Sequence, residues 1–116
     1  MWLISEYALV LTEFRKNYGN DALDGHLDRL QRMGNNCREP VSKHLGDGIW
    51  ELRTNSKKGQ LRVLYFFGPG HPEVTALHCF VKKRRKTDRA DIEIAKRRRT
   101  KVLEREVLLN VYVVRN

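Results

Sequence analysis

Apolar side chains recur every three or four residues over the first third of the chain. This spacing predicts an amphipathic helix from residue 3 to residue 18, with Leu3, Tyr7, Val10, Leu11, Phe14 and Tyr18 on its apolar face. Gly19 and Asn20 interrupt the pattern, and Asp21 is a suitable N-cap for a second helix that ends at Gly34. Two amphipathic helices joined by a short loop predict a helical hairpin that packs on another layer.

After Pro40 the pattern changes to short runs rich in β-branched and aromatic residues. Strands are predicted at 49–54, 61–67 and 74–81, joined into an antiparallel meander by turn-forming segments at 55–60 and 68–73. A helix is predicted from Thr87 or Asp88 to about Glu106, and residues 107–114 form a predicted last strand. The whole chain, 1–116, is therefore predicted to be one α+β domain. It has an N-terminal helical hairpin packed on a small curved antiparallel sheet, followed by a C-terminal helix.

Positive charge changes this picture, because it is concentrated in one segment. The 116 residues contain 23 Lys and Arg against 14 Asp and Glu, a formal net charge of +9. Residues 82–106 alone carry twelve basic and five acidic side chains. Such localised charge favours a phosphate-rich partner, although a solvated basic helix would give the same count.

Composition and motifs restrict the cellular compartment and the types of active site that the sequence can contain. Cys37 and Cys79 are too few and too far apart for a disulfide framework or a zinc knuckle, so both are predicted to be reduced thiols of a cytoplasmic protein. No apolar run reaches the roughly 18 residues that a membrane span needs. We find no metal-ligand spacing, glycine-rich phosphate loop or nucleophile motif, and therefore expect neither a metal nor another cofactor.

The first hairpin of the meander places two arginines in one candidate site. If Thr54 pairs with Leu61, Arg53 lies directly opposite Arg62 on one face of the sheet. Like charges in this position repel, unless two exposed guanidinium groups hold a bound phosphate between them. The alternative is that Arg53 pairs with Glu51 or with a carboxylate of a helix and has no role beyond the surface.

Further cations are predicted to surround this pair. The basic run that follows the third strand should bring Lys82, Lys83, Arg84 and Lys86 toward the same open face, and the hairpin turn adds Lys57 and Lys58 as candidate phosphate contacts. Arg97, Arg98 and Arg99 lie on a helix, where successive side chains point about 100° apart, so most of this triplet is expected to be solvated. Among the four histidines, His78 is the candidate acid or base, but its sheet face depends on the register.

Five sequence blocks together resemble a known family. They are Leu45–Arg53, Leu61–Phe67, His78–Lys83, the pair Lys86-Thr87, and Ile92–Lys96. In this order and spacing they resemble the phage-derived, HigB-like branch of the RelE/ParE toxin superfamily over about residues 45–105. The resemblance implies a toxin of a type II toxin-antitoxin system that enters the ribosomal A site and cleaves translated mRNA without a metal. It also implies an antitoxin partner with a helix-turn-helix fold.

The resemblance assigns roles residue by residue. Arg62 matches the arginine of the family's Tyr-Arg-Val-type strand, and Arg53 matches the arginine that ends the preceding strand. The basic stretch after the sheet, with Lys82, Lys83, Arg84 and Lys86, matches the family's further phosphate contacts. The chain departs from the pattern at Glu51, where RelE carries lysines nearby, and at its C-terminus, where Tyr112 is a late candidate for the active-site tyrosine. A ParE-like gyrase poison and an inactive basic nucleic-acid-binding relic remain alternatives.

Overall fold

A six-stranded mixed sheet lies at the centre of the protein. The computed structural model describes residues 1–19 and 21–115, without the side chain of Asp21. The strands are β1 (Leu3–Tyr7), β2 (Ser42–Gly46), β3 (Ile49–Ser56), β4 (Gly59–Phe67), β5 (Glu73–Lys82) and β6 (Leu109–Val111), in the sheet order β2-β3-β4-β5-β1-β6. The helices are α1 (Val10–Tyr18), α2 (Asp21–Met33) and α3 (Arg89–Leu103), and a 3₁₀ turn spans Gly34–Asn36.

The predicted first helix is wrong over its first five residues, which form β1. Ile4, Ser5 and Glu6 are all buried, because β1 lies inside the sheet between β5 and β6. Five residues are too few to separate a buried strand from a helical turn by periodicity. The buried carboxylate of Glu6 accepts the backbone N–H groups of Leu11 and Thr12 at 2.9 and 3.0 Å, and so caps the helix that does form.

The predicted meander is confirmed, whereas the prediction of a purely antiparallel sheet is wrong. β3, β4 and β5 pair antiparallel in sequence order. β1 pairs with β5 in parallel, which makes the sheet mixed. β2 adds an edge strand next to β3; the sequence analysis missed it because three of its five residues are polar and only Ser42 is buried. The last strand exists but is limited to the three residues of β6.

α1 and α2 cover one face of the sheet, as the hairpin prediction expected. Their buried residues Leu11, Phe14, Leu23, Leu27 and Leu30 share one core with side chains of β3 and β4. The predicted break at Asn20 and the predicted N-cap side chain of Asp21 lie outside the described residues. The predicted stop at Gly34 is confirmed. Gly34 has φ +55°, and a Cβ there would lie 2.0 Å from the indole nitrogen of Trp2.

α3 covers part of the opposite face. Leu64 and Leu77 of the sheet pack with Ala95 and Val102 of the helix in a second core. The expectation that the arginines of this helix are mostly solvated is wrong for two of them. Arg98 donates to the carbonyl of Leu77 at 2.7 Å, and Arg99 donates to the carbonyl of Asp47. These two side chains therefore fix α3 to the sheet.

No helix within residues 1–19 and 21–115 is long and apolar enough to cross a membrane.

Candidate nucleic-acid interface

The predicted arginine pair is confirmed in register. Thr54 lies opposite Leu61, and Arg53 therefore lies opposite Arg62. Glu51 lies on the same face, two residues before Arg53, and Lys82 of β5 is paired with Gln60, two residues before Arg62. We call Arg53, Arg62 and Lys82, with Glu51 between them, the cationic cluster.

Glu51 is the acid at the centre of the cationic cluster. Its side chain is completely buried, with an exposure of 0%. One carboxylate oxygen accepts a hydrogen bond from Nε of Arg53 at 3.0 Å, and the other accepts one from the hydroxyl of Thr87. The alternative that Arg53 pairs with Glu51 is thus what the structure contains. The side chain of Arg53 nevertheless remains 27% exposed, so it is accessible to solvent while it is paired with the acid.

Arg62 is buried, and the expectation that its side chain is exposed is wrong. Only 7% of the residue is accessible. Its guanidinium group donates to the carbonyl of Leu61 at 2.9 Å, to the carbonyl of Thr54 at 3.3 Å and to Oε1 of Gln60 at 3.2 Å. Among the residues that the structure describes, none accepts a hydrogen bond from its buried Nε. An unpaired donor on a buried cation is costly, so Arg62 lowers the stability of the fold.

Two cations of the cluster, Arg62 and Lys82, have lowered pKa values, and burial is the main cause of both shifts. Burial lowers the pKa of Arg62; Glu51 opposes that shift, and Arg53 adds to it. Burial also lowers the pKa of Lys82, with Glu51 opposing and Arg62, Arg53 and Lys43 contributing in the same direction as burial. Both shifts mean that the folded protein disfavours the protonated side chains. A bound anion would offset that cost.

A basic linker, residues 83–86, is held beside the cationic cluster at both ends. Lys82 precedes it at the end of β5, and Thr87 follows it and donates to the buried Glu51. Asp88 then caps α3 by accepting the N–H of Ala90 at 3.0 Å, as the sequence predicted for the start of this helix. All four linker side chains are exposed. Pockets of about 180 and 400 Å³ adjoin the linker, and both are lined by Lys82, Lys83 and Arg84.

The two turn lysines lie apart from this group. Lys57 and Lys58 are exposed in the β3–β4 turn, and Nζ of Lys58 donates to the carbonyl of Asn17 in α1 at 2.9 Å. The side chain of Lys58 is thus directed to the helical hairpin, on the face of the sheet opposite the cationic cluster. A phosphate contact by Lys58 would require this hydrogen bond to be exchanged, and for both lysines such a contact stays a prediction.

His78 lies on the same face as the cationic cluster, which its register settles. It pairs with Leu64, and its Nε2 lies 2.7 Å from Oδ1 of Asp91 in α3. Its ring stacks on Phe80, with centroids 5.4 Å apart and planes 21° apart. A bulge opposite Leu64 and Tyr65 inserts one extra residue into β5, and this irregularity could not be read from the alternation of the sequence.

Tyr112 does not lie in the site, and its candidacy as an active-site tyrosine is wrong. Its hydroxyl donates to Oδ1 of Asp24 at 3.1 Å, within the core that contains α1 and α2. Burial and the neighbouring Asp24 raise the pKa of Tyr112 to about 12. Asp24 also accepts from Nε of Arg15 at 3.0 Å, so this tyrosine belongs to a structural network.

Sequence reasoning missed the hydroxyl of Thr87 and the aromatic ring of Phe80. The position of Thr87 beside a basic run was visible, but its contact with Glu51 spans 36 residues and depends on how the linker folds back. No group of three or more His, Cys, Asp or Glu side chains within the described residues is arranged to hold a metal ion.

The comparisons with known proteins give one family. A family model described as Phage derived protein Gp49-like (DUF891) matches residues 10–100 of the chain. The matched segment begins with α1 and ends within α3, so it includes the whole cationic cluster and the basic linker. No curated protein matches the sequence.

Proposed function

We propose that this chain, which belongs to the Gp49-like family of phage-derived proteins, is the toxin of a type II toxin-antitoxin system and cleaves mRNA on the ribosome. The family is toxin-like and related to RelE/ParE-type toxins. The observation that carries the proposal is the surplus of positive charge around one buried acid. Arg53 is hydrogen-bonded to the buried Glu51, Arg62 and Lys82 interact with the same carboxylate through charge alone, and the exposed basic linker follows Lys82.

An RNA phosphate fits this arrangement by charge and by hydrogen bonding. Guanidinium groups bind phosphate oxygens with two parallel N–H donors, and fixed cations bind a transition state better than mobile ones do. Glu51 is a positioning residue in this proposal. It accepts a hydrogen bond from Nε of Arg53, and the two terminal nitrogens of the guanidinium group are then the donors proposed to bind the phosphate. Thr87 holds Glu51 in turn.

The proposed reaction uses the RNA, a water molecule and these side chains. The 2′-oxygen of one nucleotide forms a bond to the adjacent phosphorus while the bond from phosphorus to the 5′-oxygen breaks, which leaves a 2′,3′-cyclic phosphate and a 5′-hydroxyl. The 2′-hydroxyl proton passes to water. Lys82, whose lowered pKa eases the release of a proton, supplies one to the 5′-oxygen. The partly exposed Arg53 stabilises the negative charge that develops on the phosphate oxygens, and the buried Arg62 adds positive charge from within the sheet.

The partners of the proposal follow from the family resemblance. The ribosomal A site presents the mRNA, and an antitoxin with a helix-turn-helix fold neutralises the toxin between episodes of activity. Both partners place the protein in the cytoplasm. Co-expression with the neighbouring reading frame should yield a complex that co-purifies and restores growth. Continued toxicity with every adjacent reading frame would contradict the antitoxin part of the proposal.

The experiment that tests the function is primer extension on mRNA after brief induction in cells. We expect new 5′ ends inside translated frames, and none in a transcript whose start codon has been removed. Growth arrest with intact mRNA would contradict the proposal. If cleaved gyrase complexes accumulate instead, the protein is a gyrase poison; if neither effect appears, it is an inactive nucleic-acid-binding relic.

A further inference from the structure

Two aromatic rings extend the cationic cluster along β5. Phe80 lies directly opposite Arg62 in the β4–β5 register, and His78 lies two residues before it on the same strand. The rings of His78 and Phe80 are nearly parallel, at an interplanar angle of 21°. The hydrogen bond from His78 to Asp91 fixes the histidine ring, so the Phe80 ring rests on a partner that cannot rotate freely.

Phe80 also lines the smaller pocket beside the basic linker. Four cations of the linker region share this pocket with two acids, each of which already has a partner: Asp88 lies 3.9 Å from Arg84, and Asp91 lies 2.7 Å from His78. A nucleotide has a charged phosphate and an uncharged base. The phosphate is attracted to the surplus of cations, and the uncharged base is the part of a nucleotide that suits the aromatic ring of Phe80.

The β4–β5 register also sets the distance between Phe80 and the cations of the cationic cluster. Residues directly opposite in an antiparallel pair have Cβ atoms about 4.5–5.5 Å apart. Lys82 lies two residues after Phe80 on the same face, so a phosphate bound by the accessible cations of the cationic cluster lies within about one nucleotide of Phe80. A cationic track with an adjacent aromatic face is the arrangement by which proteins bind single-stranded nucleic acids, because every base has a face that can stack.

We propose that Phe80, supported by His78, is the stacking platform for the nucleobase adjacent to the phosphate that the cationic cluster holds. This inference rests on the proposed function, since it names the part of the RNA that the same site recognises. The platform makes binding depend on the base as well as on the backbone. Purines, which have the larger stacking surface, bind better than pyrimidines.

The test separates the contribution of the bases to RNA binding from the contribution of the sugar-phosphate backbone. Binding of the purified protein is measured for two ten-nucleotide RNA probes, oligoadenylate and a chain of the same length without bases. We expect Phe80→Leu to weaken binding of oligoadenylate about tenfold, as for loss of one stacked base, and to leave binding of the base-free chain unchanged. Phe67→Leu is the matched control, because Phe67 is also half-buried but packs in the other core. It should change neither affinity.

A second variant keeps the proposal testable if Phe80→Leu does not fold. Phe80→Trp enlarges the ring, and should bind oligoadenylate at least as tightly as the wild type with no change for the base-free chain. The fluorescence of the new tryptophan, measured relative to the wild type with Trp2 and Trp50, should be quenched by oligoadenylate and not by the base-free chain. Equal losses for both probes in Phe80→Leu, or no loss for either, would overturn the proposal, as would equal quenching of Phe80→Trp by both probes.

Failure of this inference can be distinguished from failure of the proposed function. Arg53→Gln should weaken binding of both probes, since each contains phosphate. If the platform is wrong but the function is right, Arg53→Gln still loses mRNA cleavage while Phe80→Leu behaves as the wild type. If the function is wrong, the wild type leaves mRNA intact whatever the result with the two probes.

Discussion

Two clusters of ionisable side chains lie on opposite faces of the same sheet, and they differ in the ratio of cations to acids. On the helical-hairpin side, Asp24 is buried and accepts from Arg15 at 3.0 Å and from Tyr112 at 3.1 Å. On the other side, the buried Glu51 is shared by the three cations of the cationic cluster. In the first cluster, Asp24, Arg15 and Tyr112, each side chain has a partner, and we call it the balanced cluster. The second has more cations than its acid can neutralise.

The difference separates buried charges that support the fold from buried charges that destabilise it. A buried ion pair whose partners are all satisfied specifies a packing arrangement. A buried cation with an unpaired N–H, such as Arg62, costs folding free energy that the fold does not recover by itself. The same type of substitution should therefore change stability in opposite directions on the two faces.

The largest effect is expected for Asp24→Ala in the balanced cluster. It leaves Arg15 and Tyr112 without the carboxylate that they share, and we expect the free energy of unfolding to fall by about 3 kcal/mol. Denaturant unfolding measures this change. The affinity of the folded protein for RNA should stay the same, because the cluster lies on the opposite face. A variant as stable as the wild type would show that the network does not support the fold.

Removing an arginine from each cluster sharpens the comparison. Arg15→Met should lower the free energy of unfolding by about 2 kcal/mol, because Asp24 stays buried with one donor fewer. Arg62→Met should raise it by about 1 kcal/mol, since an apolar side chain of similar size replaces a cation with an unpaired donor. Arg62→Glu, in contrast, buries a second acid near Glu51 and should destabilise the protein. Destabilisation by Arg62→Met equal to that of Arg15→Met would remove the distinction between the clusters.

How far the sequence predicted this arrangement depends on the range of the contacts. The opposition of Arg53 and Arg62 followed from turn length and strand alternation, both local properties. The burial of Arg62 did not, because it depends on Gln60 and on backbone carbonyls that the register brings around it. β1 was missed for a similar reason, since its strand character comes from pairing with β5, about 70 residues away in sequence. Contacts set by tertiary pairing override a weak local pattern.

The balanced cluster also predicts a dependence on alkaline pH. The pKa of Tyr112 is raised to about 12 in the folded protein and is about 10 in the unfolded chain, so its contribution is complete below pH 10 and is lost as the pH rises through 12. Tyr112→Phe should cost about 1 kcal/mol at pH 7, through loss of the hydrogen bond to Asp24. The difference between the two proteins should shrink between pH 10 and pH 12 in denaturant titrations. A constant difference across that window would contradict the raised pKa.

The smallest expected effect is a change in the salt dependence of RNA binding. Each phosphate contact to a single strand contributes about 0.7 to the slope of log affinity against log salt. Lys83→Gln, in the basic linker, should therefore reduce the slope by about 0.7. Lys58→Gln is the comparison, because the Lys58 side chain is directed to α1. An unchanged slope for Lys83→Gln would remove the linker from the interface, and an equal reduction for Lys58→Gln would confirm the sequence-based expectation that the turn contacts phosphate.

Cleavage of mRNA in a purified translation system, compared between the wild type and Arg53→Gln, tests the central claim most directly. The account predicts cuts within the translated frame by the wild type, with 2′,3′-cyclic phosphate ends and no requirement for added metal beyond what the ribosome needs. It predicts that Arg53→Gln folds and cuts at least about 100-fold more slowly, as for loss of one fixed donor to a developing anion. Equal rates for the two proteins, or intact mRNA with the wild type, would contradict the claim that the cationic cluster binds and cleaves RNA.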